Sequence, residues 1–218
     1  MNVNEYESTE QDRATAYRLL SACYYLPQRE TLEQLEELEV ALVRACPQAA
    51  EQIAAMQEAV DLDLLTVDFA QLFVGPFKLI APPYGSVYLE GRREVMGPST
   101  IDAKRRYVEA GLNIADTLNE APDHIAVELE FVYYLIYKEI EAIESGHVDA
   151  ADEWRHRQQD FLSKHLGAWI SDFAATVERG AKTDFYGSLA RATGLFVVGD
   201  KNALAGSAKA SGQSVCVV

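Results

Sequence analysis

Residues Pro122 to Glu144 read PDHIAVELEFVYYLIYKEIEAIE, and their spacing decides the fold class. Ile125, Leu129, Val132, Ile136, Ile140 and Ile143 recur at intervals of three and four, the period of one face of an α-helix. Pro122 suits a first helical turn, where a missing N–H costs nothing. Gly146 supplies a stop. One residue breaks the apolar stripe. Glu128 stands three after Ile125 and four before Val132, so it is expected to be at least partly buried and to need a donor. His124, an Arg or a Tyr hydroxyl from another helix would serve.

The same period recurs outward in both directions. Thr9–Tyr25 carries Ala16, Leu19, Leu20, Cys23 and Tyr24, and Pro27 ends it. Thr31–Ala45 repeats leucine, Pro47 opens a third helix with Ile53 and Met56, and Leu64–Phe73 forms a fourth. Helices are further expected over Ser99–Ala110, over Val148–Val177 with Trp154, Phe161 and Trp169 inward, and over Asp184–Phe196. No stretch of any length alternates with the period of a strand. The fold class is therefore all-α, a multi-helix bundle. Residues 1–197 read as one helical domain, with N-terminal helices over 8–73, a loop over 74–97 and C-terminal helices over 98–197. The Gly-, Ser- and Ala-rich residues 198–218 read as a flexible tail.

The loop reads GPFKLIAPPYGSVYLEGRREVMGP from Gly75 to Pro98. Four prolines and four glycines interrupt its aromatic and apolar residues, and the helical pattern breaks. A loop this long inside a compact chain is usually functional. Its apolar residues, Phe77, Leu79, Ile80, Tyr84, Val87 and Tyr88, must bury against the protein or against a guest.

The 218-residue chain has a net charge of −15. Such a surface repels nucleic acid, whose binding rests on Lys and Arg at phosphates, and attracts basic partners. Three scattered cysteines, Cys23, Cys46 and Cys216, make no disulfide framework and fit a reducing cytoplasm. The polar, acidic start MNVNEYESTEQDR does not read as a secretory leader, and no run approaches a membrane span.

Chemistry has few footholds. Neighbours on a helix point about 100° apart, so Asp123 does not orient His124 as a catalytic dyad would require. The pair reads first as a cap and helix-dipole partner, with Asp123 complementing the first turn, and alternatively as part of a surface that reads another protein. Glu153-Trp-Arg-His156 is a single E-x-x-H, where a di-iron bundle needs two. His165 sits between Phe161 and Trp169 on an apolar stripe and reads as a core histidine. No phosphate loop and no nucleophile elbow is present. The loop, the acids and the His-Asp helix start together suit capture of an apolar peptide that is basic at one end.

Four blocks in order carry a family likeness: DFAQLFVGPFKLIAPPYGSVYLEGRREVMG (Asp68–Gly97), EAPDHIAVELEF (Glu120–Phe131), FLSKHLGAWISDFA (Phe161–Ala174) and TDFYGSLARATGLFV (Thr183–Val197). They resemble the TorD/DmsD/NarJ family of redox-enzyme maturation chaperones, closest in loop pattern to the DmsD branch. The likeness spans about Arg13 to Asp200. It implies an all-helical bundle and a non-catalytic, cytoplasmic chaperone without a cofactor. Its partner would be the twin-arginine signal peptide, the apoprotein, or both, of a molybdopterin oxidoreductase, held until the cofactor is inserted. It assigns peptide binding to Phe69, Leu72, Phe77, Pro83, Tyr84, Ser86, Asp123 and His124, with Pro122 and Glu128 as structural support. The DmsD branch often has tryptophan where this chain has Phe69, Phe77 and Tyr84, and a residue between the equivalents of Pro122 and Asp123. Two other readings stay open: a nucleotide- or cofactor-handling protein with its site at Asp123, His124 and Glu128, and an assembly factor for a leaderless catalytic subunit. Nucleic acid and membrane insertion are not expected, and the hinge-like loop admits a swapped homodimer.

Overall fold

The structure, a computed structural model, describes residues 3–57, 61–75, 79–91, 96–112 and 120–212. Eleven α-helices and one π-helical turn account for most of them, and no strand forms among the described residues. The helices are α1 (Val3–Ala22), α2 (Arg29–Glu33), α3 (Leu35–Ala45), α4 (Pro47–Gln57), α5 (Leu62–Phe69), α6 (Gly85–Leu89), α7 (Pro98–Glu109), α8 (Ile125–Glu144), α9 (Val148–Lys164), α10 (Leu166–Gly180) and α11 (Asp184–Gly212). The all-α reading holds. α1 packs along α8 and α3, α8 against α9, and α11 between α4 and α10. The stripe that set the fold class is buried from Ile125 to Ile140.

Several boundaries move for local reasons. The expected helix Val148–Val177 is two, broken at His165, whose backbone leaves the helical region at φ −120° and ψ −112°. There the imidazole of His165 stacks on Phe161 at 4.9 Å and reaches Asp102 of α7, with Nε2 2.7 Å from Oδ2. His165 is thus a satisfied core histidine on that side. The expected helix Thr31–Ala45 is also two, divided at Gln34. Pro122 and Asp123 precede α8 rather than open it, because His124 is the cap.

The fourth helix does not run evenly to Phe73. Asp61 caps α5 by accepting from the N–H groups of Asp63 and Leu64. The chain then widens into a π-turn over Ala70–Val74, which keeps Phe69, Leu72 and Phe73 all turned inward. Gly75 closes it at φ +42°, a left-handed conformation that favours glycine.

The last helix runs further than the expected Asp184–Phe196. α11 runs on through Gly212, with Asp200 and Leu204 buried. Composition alone suggested a loose end, but a buried ion pair overrides it. Arg13 of α1 meets Asp200 with Nε 2.8 Å from Oδ1 and Nη2 2.9 Å from Oδ2, and the Tyr17 hydroxyl donates to the same carboxylate at 2.8 Å. Arg13 also contacts Glu10 and Gln158, and Gln158 in turn donates to Glu139 of α8. This polar seam ties α11 to α1, α8 and α9. Residues 213–218 lie outside the described residues.

Candidate functional site

The described part of the long loop, residues 79–91, is folded rather than draped. It carries a short helix of its own, α6, which the density of proline and glycine concealed. Residues 83–85 run antiparallel to 123–125 as a single bridge: Ile125 N–H donates to the Pro83 carbonyl and Gly85 N–H to the Asp123 carbonyl, both at 2.8 Å. The Asp123 carboxylate then accepts from Ser86 N–H at 2.8 Å. Asp123 is fully buried, and this hydrogen bond holds α6 against the start of α8.

Gly85 is required where it stands. A Cβ there would lie 2.9 Å from the Trp169 indole nitrogen and 3.3 Å from a Glu128 carboxylate oxygen. Glu128 is buried as its position on the stripe implied, and its donor is the indole N–H of Trp169, at 2.8 Å. That partner was absent from the candidates the sequence offered, since nothing in it pairs position 128 with 169. Burial raises the Glu128 pKa well above the usual carboxylate range, against the opposing indole hydrogen bond. Pro122 contributes through its carbonyl, which accepts from the Tyr107 hydroxyl at 2.6 Å.

His124 caps α8 with its side chain: Nδ1 accepts from Ala126 N–H at 3.2 Å. A nitrogen that accepts carries no proton, so the neutral ring holds its proton on Nε2. Burial depresses its pKa from 6.5 to about 4. The ring lies between two tyrosines, stacked on Tyr25 at 6.2 Å and edge-to-face with Tyr84 at 5.4 Å.

These elements border a groove of about 460 Å³. Phe69, Phe73 and Tyr24 form its aromatic floor, Leu26, Val74, Leu79 and Pro83 its apolar walls, and Tyr25, Tyr84, His124 and Glu120 its polar edge. Leu26 and Val74 are exposed there. Four residues assigned to peptide binding, Phe69, Pro83, Tyr84 and His124, thus converge on one surface. Leu72, Ser86 and Asp123 do not line it: all three are fully buried, Leu72 in the core and the other two as mutual supports. Phe77 lies outside the described residues. Missed by sequence reasoning were Tyr24, Tyr25, Leu26, Phe73, Val74 and Glu120. Tyr24 and Phe73 were visible as apolar positions, but nothing distinguished groove floor from core.

Asp123, His124 and Glu128 do not converge as a catalytic set. One oxygen of each carboxylate accepts from a structural donor, and the imidazole caps a helix. Glu153 and His156 face a separate, charged depression of about 390 Å³ with Arg106, Arg157 and Asp160. No group of three His, Cys, Asp or Glu is placed to hold a metal ion among the described residues. Nor is any helix there long and apolar enough to cross a membrane.

Comparison with known proteins agrees with this architecture. Residues 21–175 match the family described as nitrate reductase delta subunit. The chain belongs to this TorD/DmsD/NarJ family. Among its relatives are the chaperone protein TorD of Vibrio cholerae, 29% identical over 76% of this chain and 74% of that protein, and the TorD of Escherichia coli, 30% identical over 72% of each. The Tat proofreading chaperone DmsD of Salmonella typhimurium is 29% identical over 67% of this chain and 66% of that one. A crystal structure from Archaeoglobus fulgidus, described as a redox enzyme maturation protein, shares the fold with a TM-score of 0.53 at 23% identity, over 84% of this chain and 93% of that one. The named relatives are chaperones, and this chain is a redox-enzyme maturation chaperone rather than an enzyme.

Proposed function

We propose that this chaperone acts in the cytoplasm and binds the twin-arginine signal peptide of a molybdenum-containing oxidoreductase, holding the client until its cofactor is in place. The carrying observation is the groove, in which Phe69, Pro83, Tyr84 and His124 meet an aromatic floor and an acidic edge. A leader that is basic first and apolar after complements both parts. Apolar burial supplies the affinity and charge the orientation. Asp123, Ser86 and Glu128 act at one remove, by fixing the loop and the start of α8 that form the rim.

Titration of the full chain with a synthetic twin-arginine leader tests the reading. Tyr84→Ala and His124→Ala are each expected to weaken binding by about 1–3 kcal/mol, as truncation of an interface hot spot does. Added salt should weaken it as well, because the charge attraction is screened. Wild-type affinity in both variants would place recognition elsewhere. Capture of a leaderless catalytic subunit, with no affinity for the leader, would favour an assembly factor for folded apoenzyme.

A further inference from the structure

Beneath the rim, two hydrogen-bond acceptors face each other in the interior. The first is set by Asp102 of α7. Burial would raise the Asp102 carboxyl, but hydrogen bonds from Arg106, Arg105 and His165 hold it well below the usual range. Asp102 is therefore an anion, and His165 Nε2–H donates to its Oδ2 at 2.7 Å. Burial lowers the His165 pKa, so near neutral pH the ring is uncharged and Nδ1 keeps its lone pair. That nitrogen is buried without a hydrogen-bond partner, and it faces Glu128 Oε1 at 3.9 Å. Glu128 Oε1 is buried and unpartnered too, because the Trp169 indole donates to the other oxygen.

An ionised Glu128 would set a carboxylate oxygen against that lone pair, and its surroundings offer no cation in return. The start of α8 adds a second acid, Asp123. α7 adds Tyr107, a phenol that burial keeps protonated. α10 adds His165 and the Trp169 N–H, and α6 the backbone of Gly85. Among the described residues no Lys or Arg pairs with Glu128. A buried carboxylate without a counter-charge is among the costliest groups in an interior. One proton on Oε1 removes both faults: it neutralises the acid, and it turns two opposed acceptors into a donor and an acceptor.

We infer that Glu128 is held as a neutral carboxylic acid, its proton on Oε1 facing His165 Nδ1, and that in this form it is a positioning residue for the groove rim. The first residue of α6 rests on it, since a Cβ at Gly85 would lie 3.3 Å from Oε1. Tyr84, the residue before, lines the groove. A negative charge at Oε1 would draw water in, and the way in is for residues 84–86 to lift from α8. The neutral acid keeps them down.

Three measurements on the full-length protein test this. The infrared difference spectrum between wild type and Glu128→Gln near neutral pH should contain a protonated-carboxyl stretch, and its absence would overturn the inference. Stability against pH is the second. Above the unfolded value of 4.5, the folded chain holds a proton that the unfolded chain has lost. As pH rises from about 5 to about 7, the folding equilibrium of wild type should therefore fall about tenfold per unit relative to Glu128→Gln. Parallel curves would mean an ionised Glu128. The third compares two variants in the leader titration. Gln copies a neutral acid, with an N–H for His165 and an oxygen for Trp169, whereas Met fills the space and offers neither. Glu128→Gln should bind within about twofold of wild type and Glu128→Met about tenfold more weakly, the scale of a lost hydrogen bond. Equal weakening in both would show that the rim needs a charge at 128, and wild-type affinity in Glu128→Met would end the positioning role. Thermal melts confirm that each variant is folded. This third arm rests on the leader reading above: if wild type binds no leader, that reading fails, and the infrared band and the pH slope decide the proton without it.

Discussion

At the seam between α1 and α11, Arg13 is buried among Asp200, Glu10, Tyr17 and Gln158, and every charge has its counter-charge within the chain. At the groove edge, Glu120 stands beside the Tyr84 hydroxyl and a neutral imidazole, and among the described residues it has no Lys or Arg partner. Both regions are acidic, and acidity alone would not tell them apart. The difference lies in what the charge has been given to do. Where the fold supplies the cation, the cluster is a clamp. Where it does not, the acid is the one we propose to meet a partner's cation.

Breaking the clamp has the largest expected effect. Asp200→Ala leaves the Arg13 guanidinium buried without its bidentate partner, and removing one member of such a pair typically costs about 3–5 kcal/mol. Urea unfolding should show that loss as a lower midpoint. Leader affinity of the protein that remains folded should be unchanged, because the seam contributes nothing to the groove. If Asp200→Ala unfolds like wild type, α11 beyond Phe196 is the loose tail its composition suggests.

The second test sharpens the groove side through pH. His124 has a folded pKa near 4 against 6.5 when unfolded. Between those values the unfolded chain binds the proton and the folded one does not. Its contribution is therefore complete above pH 6.5 and is lost as pH falls toward 4, by about 3 kcal/mol at roughly 1.4 kcal/mol per unit. His165, also depressed by burial, acts in the same direction. Glu128 and Glu10, raised by burial, act in the opposite one, since their contribution is present at low pH and lost as pH rises. The difference between wild type and His124→Asn isolates the one group, because asparagine keeps a cap acceptor and does not titrate. Stability curves from pH 7 to pH 4 should diverge by nearly one proton's slope. Parallel curves would mean that His124 is not the buried, neutral cap of α8.

Much of this was legible in the sequence, and the rest was not for definite reasons. Helical period exposed the bundle, because burying one face of a helix leaves a stripe at i, i+3 and i+4. The same logic put Glu128 in the interior. It could not supply Trp169, since tertiary pairing between α8 and α10 leaves no mark in either segment alone. Asp123 was legible as a cap and His124 as a first-turn residue, and the structure exchanges those parts: His124 caps α8, while Asp123 reaches back to Ser86. Of the residues the family likeness pointed to, Phe69, Pro83, Tyr84 and His124 line one groove. It did not single out Glu120 or Tyr25, which line the same groove. The last helix runs past its expected end at Phe196 because small residues are as compatible with close helix packing as with a loose end.

The smallest of the three effects asks how the groove's geometry is held. Gly85 opens α6 beneath the rim, and a methyl group there would press the Trp169 indole nitrogen at 2.9 Å and a Glu128 oxygen at 3.3 Å. The indole is not free to yield, since it is bonded to Glu128 and stacked on Tyr88 at 5.5 Å. Gly85→Ala should therefore cost about 1–3 kcal/mol in stability, the usual range for overpacking a filled site. The relief available is for residues 84–86 to lift from α8, which would lengthen the bridge to 123–125 and carry Tyr84 away from His124 and Glu120. Leader affinity should fall with stability, whereas in Asp200→Ala it should not. A Gly85→Ala protein that loses stability but binds the leader like wild type would show that the rim tolerates displacement and that Tyr84 need not be held in place by α6.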